Sequence, residues 1–350
     1  MILNVIKIFG LSSLSFFIGI LFTPLLTHYL YKYEMWRKDK KEFAPDGSPL
    51  TVYKSLKKDD ARKVPRVGGI LIWGVVVVVA LFFWMLAQFW PTVFTEKINF
   101  FSRSQTWLPL ATLLAGSLVG LADDLMQIWG GGRYIAGGMR FSRRVFLIGL
   151  IAASGAYWFY FKLGVDSIHV PFGGDVYLGW LMIPFFMVAM YATFSGGVID
   201  GLDGLAGGVL ASAFSAYGGI AYAQNQMDLA AFCGVVVGAI LTFLWFNIPP
   251  ARFYMGETGI MGLTTTLTVV AFLTKAVVVL PIIALPLVLA SASVIIQLSS
   301  KRFFGRKVFL VAPIHHHFEA LGWPSYKVTM RFWVVSVISA VLGMVLALVG

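Results

Sequence analysis

Of 350 residues, 59% are hydrophobic and only 12% are charged, whereas soluble domains carry roughly a quarter charged residues. That balance excludes a water-soluble globular protein and points to an integral membrane protein, all-α because the apolar runs reach roughly 20 residues without the alternation of a membrane barrel. The formal charge of +11 invites a nucleic-acid partner, but basic residues beside apolar spans are the signature of membrane loops, so no nucleic acid is expected.

Hydropathy in chain order predicts ten spans, at about 4–29, 68–90, 107–125, 145–162, 177–195, 207–223, 229–246, 259–275, 279–299 and 330–349. The first run could pass for a signal peptide. It is long, carries Thr23-Pro24 near its end and lacks a clear cleavage site, so it reads as a span. The single cysteine, Cys233, lies inside an apolar run and rules out a disulfide framework or thiol metal site. Residues Ser167 to Tyr177 read as a short β-hairpin with a Gly173-Gly174 turn. No soluble domain or repeat interrupts the chain, so residues 1–350 form a single transmembrane domain.

Lysine and arginine are distributed unevenly. Eleven of the twenty-seven fall in residues 30–66, and Arg133, Arg140, Arg143, Arg144, Arg252 and the group from Lys301 to Arg331 bring the same face to twenty-two. The other face keeps Lys7, Lys97, Arg103, Lys162 and Lys275. The positive-inside rule makes the rich face cytoplasmic and places both termini outside.

Carboxylates outside the first loop are scarce, and six share the basic face: Asp123, Asp124, Asp200, Asp203, Glu257 and Glu319. Charge at such positions is costly and asks for a function. The adjacent pair Asp123-Asp124 ends the third predicted span. It is either a solvated helix end or a site for a cation. Asp200 and Asp203, among glycines from Gly196 to Gly208, share a face if that turn is helical, and capping of the next span is the plain alternative. Glu257 is either a neighbour of a helix start or a ligand for a hard cation. His315, His316 and His317 cannot all share one face, which argues against a three-histidine zinc site, but imidazoles donate well to phosphate. No phosphate-binding P-loop, dinucleotide fingerprint or HExxH sequence is present. These residues describe a membrane-face site with carboxylates for a metal, cations and histidines for phosphate, and Tyr254 for a ring.

Four stretches together carry a resemblance: Ala122-Asp123-Asp124, Asp200 to Ala206, Asn247 to Gly259, and Ala312 to Pro324 with its histidines. The set resembles the phospho-N-acetylmuramoyl-pentapeptide transferase family, within the polyprenyl-phosphate N-acetylhexosamine-1-phosphate transferase superfamily. The likeness runs from about Pro65 to Arg331, and the histidine stretch is its most specific part. It implies a ten-span enzyme of the bacterial cytoplasmic membrane with its active site on the cytoplasmic face. The implied substrates are UDP-MurNAc-pentapeptide and undecaprenyl phosphate, the implied products lipid I and UMP, the cofactor Mg²⁺, and a homodimer fits the family. By motif position Asp123, Asp124 and Asp200 are catalytic, and Asp200 and Glu257 face the metal. Gly201, Leu202, Asp203, Asn247, Tyr254, Arg144, Lys63, His315, His316 and His317 bind substrate, with Tyr254 stacking on uracil.

The chain departs from the family at Gly197, Ile199, Tyr254, Glu257, Arg144 and Gln127, where Asn, Thr, Phe, Asp, Lys and Lys are usual. The run Lys63-Val64-Pro65-Arg66-Val67-Gly68-Gly69 is closer to relatives that load GlcNAc-phosphate. Two alternatives follow, a transferase for another UDP-HexNAc and, from a different class, a transporter. The transporter requires its polar groups near the membrane midplane.

Overall fold

The computed structural model describes residues 2–37, 63–130 and 138–350. Arg133 and the basic residues from Lys38 to Arg62 lie outside the described residues. Among the described residues, ten helices are long and apolar enough to cross a membrane: Ile2–Lys32, Val67–Phe89, Trp107–Trp129, Phe141–Lys162, Gly179–Ile199, Leu205–Ala223, Met227–Asn247, Gly256–Leu273, Leu285–Phe304 and Ser325–Val349.

The eighth span, Gly256–Leu273, is the hub. Of its apolar window 89% is buried inside the protein, against 22% for the first span and 28% for the tenth. It carries Thr264, Thr265, Thr266 and Thr268, all fully buried. In hydrocarbon such polar groups are ordinarily satisfied internally, and three of the four are, the Thr266 hydroxyl having no hydrogen-bond partner among the described residues. Thr264 and Thr265 donate to Ile260 and Met261 carbonyls at 2.8 Å, one turn back, and Thr268 donates to Thr264 O at 3.2 Å. Close packing with the third span uses small residues, as membrane helices do where no hydrophobic force separates protein from lipid. A Cβ on Gly120 would stand 2.0 Å from the Glu257 carbonyl oxygen, and one on Gly116 2.6 Å from Thr265 Oγ1. The second span begins against the eighth just as tightly: Gly68 and Gly69 N–H donate to the Tyr254 and Met255 carbonyls, each at 2.9 Å, and Tyr254 N–H donates to Pro65 O at 2.8 Å.

The outer spans turn large apolar side chains outward, among them Phe17, Leu21 and Phe22 on the first and Val334, Ile338 and Leu342 on the tenth. In water this would be an aggregation surface; in a bilayer it meets solvent of its own kind. The expected hairpin is present, Ser167–Val170 pairing antiparallel with Gly174–Tyr177, Val170 opposite Gly174. The same end of the bundle collects both termini. Phe172 N–H donates to Gly350 O at 3.2 Å, and Lys7 pairs with Asp228 and donates to Asn99 O at 2.9 Å. Gln224 and Gln226 side chains tie that loop to the Thr274 and Leu273 carbonyls.

Three expectations need correction. The third span does not stop at 125 but runs through Gln127 and Ile128 to Trp129 and ends where Gly130 takes φ +70, so Asp123 and Asp124 lie inside a helix. The ninth span begins at Leu285, not 279. Leu280–Ile283 is a separate turn of helix, Ala284 leaves helical geometry at ψ 33, and Pro286 sits in the first turn of the next helix, where its missing N–H costs nothing. The turn from Asp200 to Gly204 is irregular rather than helical, so Asp200 and Asp203 do not share a helix face. Two short helices, Val93–Ile98 and Ile314–Ala320, fall between spans, where hydropathy gives no signal for them.

The Gly120 contact yields a stability prediction. Gly120→Ala should lower stability by about 1–3 kcal/mol, the usual cost of overpacking. The control is Gly74→Ala, whose Cβ meets nothing within 4 Å. Thermal melts of both variants in one detergent should separate them, and equal melting temperatures would refute the tight third–eighth contact.

Candidate active site

The first turn of the eighth span holds the site together. A helix start has backbone N–H groups without partners and a positive dipole end. Here they meet carboxylates from two other segments. Thr258 N–H donates to Asp124 Oδ2 at 2.9 Å, with Glu257 N–H also directed at Asp124, and Gly256 N–H is directed at Asp200. Gly256 is a true glycine requirement. Its φ is +70, and a Cβ would stand 2.2 Å from Arg66 O and 2.4 Å from Asp124 Oδ2.

Asp123 and Asp124, one residue apart on the third span, are both fully buried. Asp123 is densely bonded. Its Oδ2 accepts from Gln127 Nε2 at 2.8 Å and faces Arg144 Nη2 at 3.0 Å, and its Oδ1 accepts from Met139 N–H at 2.5 Å. Arg144 reaches on through Nη1 to Glu257 Oε1 at 3.0 Å, so one guanidinium bridges two carboxylates. Arg37 closes the edge on Gln127 Oε1. Asp124 is only half-bonded. Its Oδ1 has no hydrogen-bond partner among the described residues and stands 3.9 Å from Arg66 Nε. Asp200 opens the turn after the fifth span. Desolvation pushes its carboxyl up to about 7, Arg66 opposes that rise, and Glu257 adds to it.

The glycine-rich turn is braced from several sides. Asp203 accepts from Ala251 N–H at 3.1 Å, and its own carbonyl accepts from Thr329 Oγ1 at 3.2 Å. Gly204, at φ +77, caps the sixth span; its N–H donates to Asn247 Oδ1 at 2.9 Å, and its carbonyl accepts from Trp333 Nε1 at 3.0 Å. Asn247 Nδ2 donates in turn to Phe253 O at 2.8 Å, so this side chain joins two loops of the site. Leu202, 5% exposed, anchors the turn in the core.

Of the three histidines, two face the turn. A Cβ on Gly201 would lie 2.5 Å from His315 Nε2 and 2.8 Å from His316 Nε2. His316 Nδ1 bonds Glu319 Oε2 at 2.6 Å, which fixes that ring. His317 points elsewhere, accepting from Leu310 N–H at 3.2 Å, as the single-face argument requires. Lys63 is exposed, its Nζ 5.6 Å from the Trp36 ring centre. Tyr254 contributes backbone bonds to Pro65 and Gly68, and its ring is partly exposed.

The fold thus brings Asp123, Asp124, Asp200, Glu257 and Arg144 into one charged cluster, with Gly201, His315 and His316 beside the same turn. Lys63 and His317 have other neighbours. Sequence reasoning missed Arg66, which faces both Asp124 and Asp200 electrostatically; its signal was the Pro65-Arg66-Val67-Gly68-Gly69 run. Among the described residues no three His, Cys, Asp or Glu side chains converge into a closed metal site. Mg²⁺ takes one or two carboxylates and completes its shell with water and substrate phosphate. The buried, unpartnered Asp124 Oδ1 fits such a cation.

The charged cluster lies at one end of a polytopic ten-span membrane bundle, and the relatives this chain resembles are transferases rather than transporters. Residues 106–275 match the family model described as Glycosyl transferase family 4. Over 95% of both chains the sequence is 34% identical to the phospho-N-acetylmuramoyl-pentapeptide-transferase of Geobacillus kaustophilus strain HTA426. It is 31% identical to the one of Bacillus subtilis strain 168 over 94% of both chains, and 30% identical to that of Chloroflexus aggregans over 97% of this chain and 89% of the relative. The chain belongs to the phospho-N-acetylmuramoyl-pentapeptide-transferase family.

The double role of Asn247 is open to a direct check. Asn247→Ala leaves the Gly204 N–H and the Phe253 carbonyl unpaired in a buried place. It should cost about 1–3 kcal/mol, read as a lower melting temperature of the purified protein. An unchanged melt would remove the bracing role.

Proposed function

We propose that this chain transfers phospho-MurNAc-pentapeptide from UDP-MurNAc-pentapeptide to undecaprenyl phosphate, giving lipid I and UMP at the cytoplasmic face of the bacterial inner membrane. The observation that carries the reading is the cluster of Asp123, Asp124, Asp200 and Glu257 with two arginines, beside His315 and His316. The family supports the donor. Twenty-two of twenty-seven basic residues on the site's side of the membrane support its cytoplasmic placement.

In the reaction an oxygen of the acceptor phosphate attacks the sugar-linked phosphorus of the donor. The new P–O bond forms as the bond to UMP breaks, and UMP departs with the electron pair. Two anions must meet, so positioning and charge neutralisation dominate. The acceptor phosphate is already ionised near neutral pH and asks little of a base. Asp123 suits that economy. Its oxygens already accept from Gln127 and Met139 and face Arg144, so it organises the cations around the acceptor rather than abstracting a proton. Arg144, shared between Asp123 and Glu257, links acceptor and donor sides. His315 and His316, directed at Gly201, donate to donor phosphate or sugar oxygens. One or two of Asp124, Asp200 and Glu257 would hold Mg²⁺, which when bound would neutralise charge on the diphosphate.

Three measurements test the reading. Purified protein with radiolabelled UDP-MurNAc-pentapeptide, undecaprenyl phosphate and Mg²⁺ should form lipid I, and UDP-GlcNAc should not compete. Product from UDP-GlcNAc alone would reassign the donor. Omission of Mg²⁺ with a chelator should silence transfer. Asp123→Asn and Asp200→Asn should each lower turnover by about a hundredfold or more, the scale of a lost preorganised electrostatic contact, with little change in folded yield. Near-normal turnover in either variant would strike that residue from the catalytic set.

A further inference from the structure

Two buried polar atoms of opposite charge face each other across the site as a long ion pair, without a hydrogen bond. Arg66 Nε and Asp124 Oδ1 are both buried, both lack a hydrogen-bond partner among the described residues, and stand 3.9 Å apart. Buried polar atoms are ordinarily paired, so such an exception calls for a ligand or a reason. Here neither side chain lacks the means to bond. The arginine backbone is fixed, with its N–H donating to Met35 O at 2.9 Å and its carbonyl packed on Gly256. Asp124 is fixed through Oδ2 by Thr258 N–H at 2.9 Å. The contrast with Arg144 is informative. Through its terminal nitrogens that guanidinium makes close contacts, at 3.0 Å, with both Asp123 and Glu257, and only its Nε lacks a hydrogen-bond partner among the described residues. Arg66 instead faces Asp124 and Asp200 at longer range and keeps a donor in reserve.

We propose that Arg66 is a phosphate-binding residue of the transfer site. Its Nε donates to a non-bridging oxygen of the donor diphosphate, and the cation that accompanies that diphosphate satisfies Asp124 Oδ1. A diphosphate with its divalent cation offers an acceptor to the arginine and a positive charge to the aspartate at once. An arginine suits this place, since its planar donor array matches phosphate oxygens better than a lysine ammonium does. The inference rests on the phosphosugar-transfer function proposed above.

The test is calorimetric titration of the full-length protein in detergent with UDP, with and without Mg²⁺, and with uridine as the phosphate-free probe. Arg66→Gln should weaken Mg²⁺-dependent UDP binding roughly tenfold or more, as expected for loss of a charged hydrogen bond. Uridine binding and melting temperature should stay near those of the unaltered protein. Arg66→Lys, which keeps the charge and loses Nε, should fall between. UDP binding by Arg66→Gln within twofold of the unaltered protein overturns the assignment. So does a parallel loss of UDP binding, uridine binding and thermal stability, which would mark a structural arginine. An unaltered protein that binds no UDP would overturn both this inference and the proposed function, so the two failures are distinguishable.

Discussion

Everything at the charged end of this protein depends on how the eighth span begins. Its first-turn N–H groups point at Asp124 from the third span and Asp200 from the loop before the sixth. In low-dielectric surroundings an unpaired carboxylate is prohibitive, and an unpaired helix start is costly too. Each solves the other's problem. The arrangement requires the third and eighth spans to approach almost backbone to backbone, which Gly116, Gly120 and Gly262 permit. It also requires Gly256 at positive φ, where any side chain would strike Arg66 O and Asp124.

The second spans-and-loops layer serves that junction. The start of the second span is laced to residues 254 and 255 by three backbone hydrogen bonds, which delivers Arg66 to the carboxylates. Asn247, Trp333 and Thr329 hold the glycine-rich turn, which delivers Asp200. The helix Ile314–Ala320 lays His315 and His316 over the same turn. Four segments far apart in sequence thus meet at one helix terminus. Charge compensation there is uneven: the terminal nitrogens of Arg144 hold two carboxylates at 3.0 Å, whereas Arg66 reaches Asp124 only at 3.9 Å and Asp124 Oδ1 has no hydrogen-bond partner among the described residues. That unevenness separates a site able to accept an anionic substrate from a sealed ion-pair network.

Much of this was legible beforehand. Ten spans emerge from hydropathy because each crosses roughly the same hydrocarbon thickness. The hairpin emerges from Gly173-Gly174 between alternating residues. The site's acids stand out because carboxylates are rare in so apolar a chain. The errors fell where local signal gives way to packing. Asp123 and Asp124 were placed at a helix end because charge usually marks one, but Arg144 and the eighth-span N–H groups let the helix continue past them. A helical turn would put Asp200 and Asp203 on one face. In the folded turn Asp203 is spent on Ala251 N–H, and Asp200 faces Gly256. The Pro65-Arg66-Val67-Gly68-Gly69 run marks the segment, but nothing in it points to the carboxylates that Arg66 meets in the fold.

The sequence by itself determined the membrane class, the number of spans, the single charged face and the family, because these follow from composition, periodicity and motif residues that act locally or in fixed order. Only the tertiary structure decided which histidines face the turn, which carboxylate is saturated and which has an oxygen to spare, and that Arg66 stands opposite Asp124. Those relations join residues up to 134 positions apart, as Asp124 and Thr258 are. Their distances are set by helix packing through glycine contacts, and no local pattern encodes them.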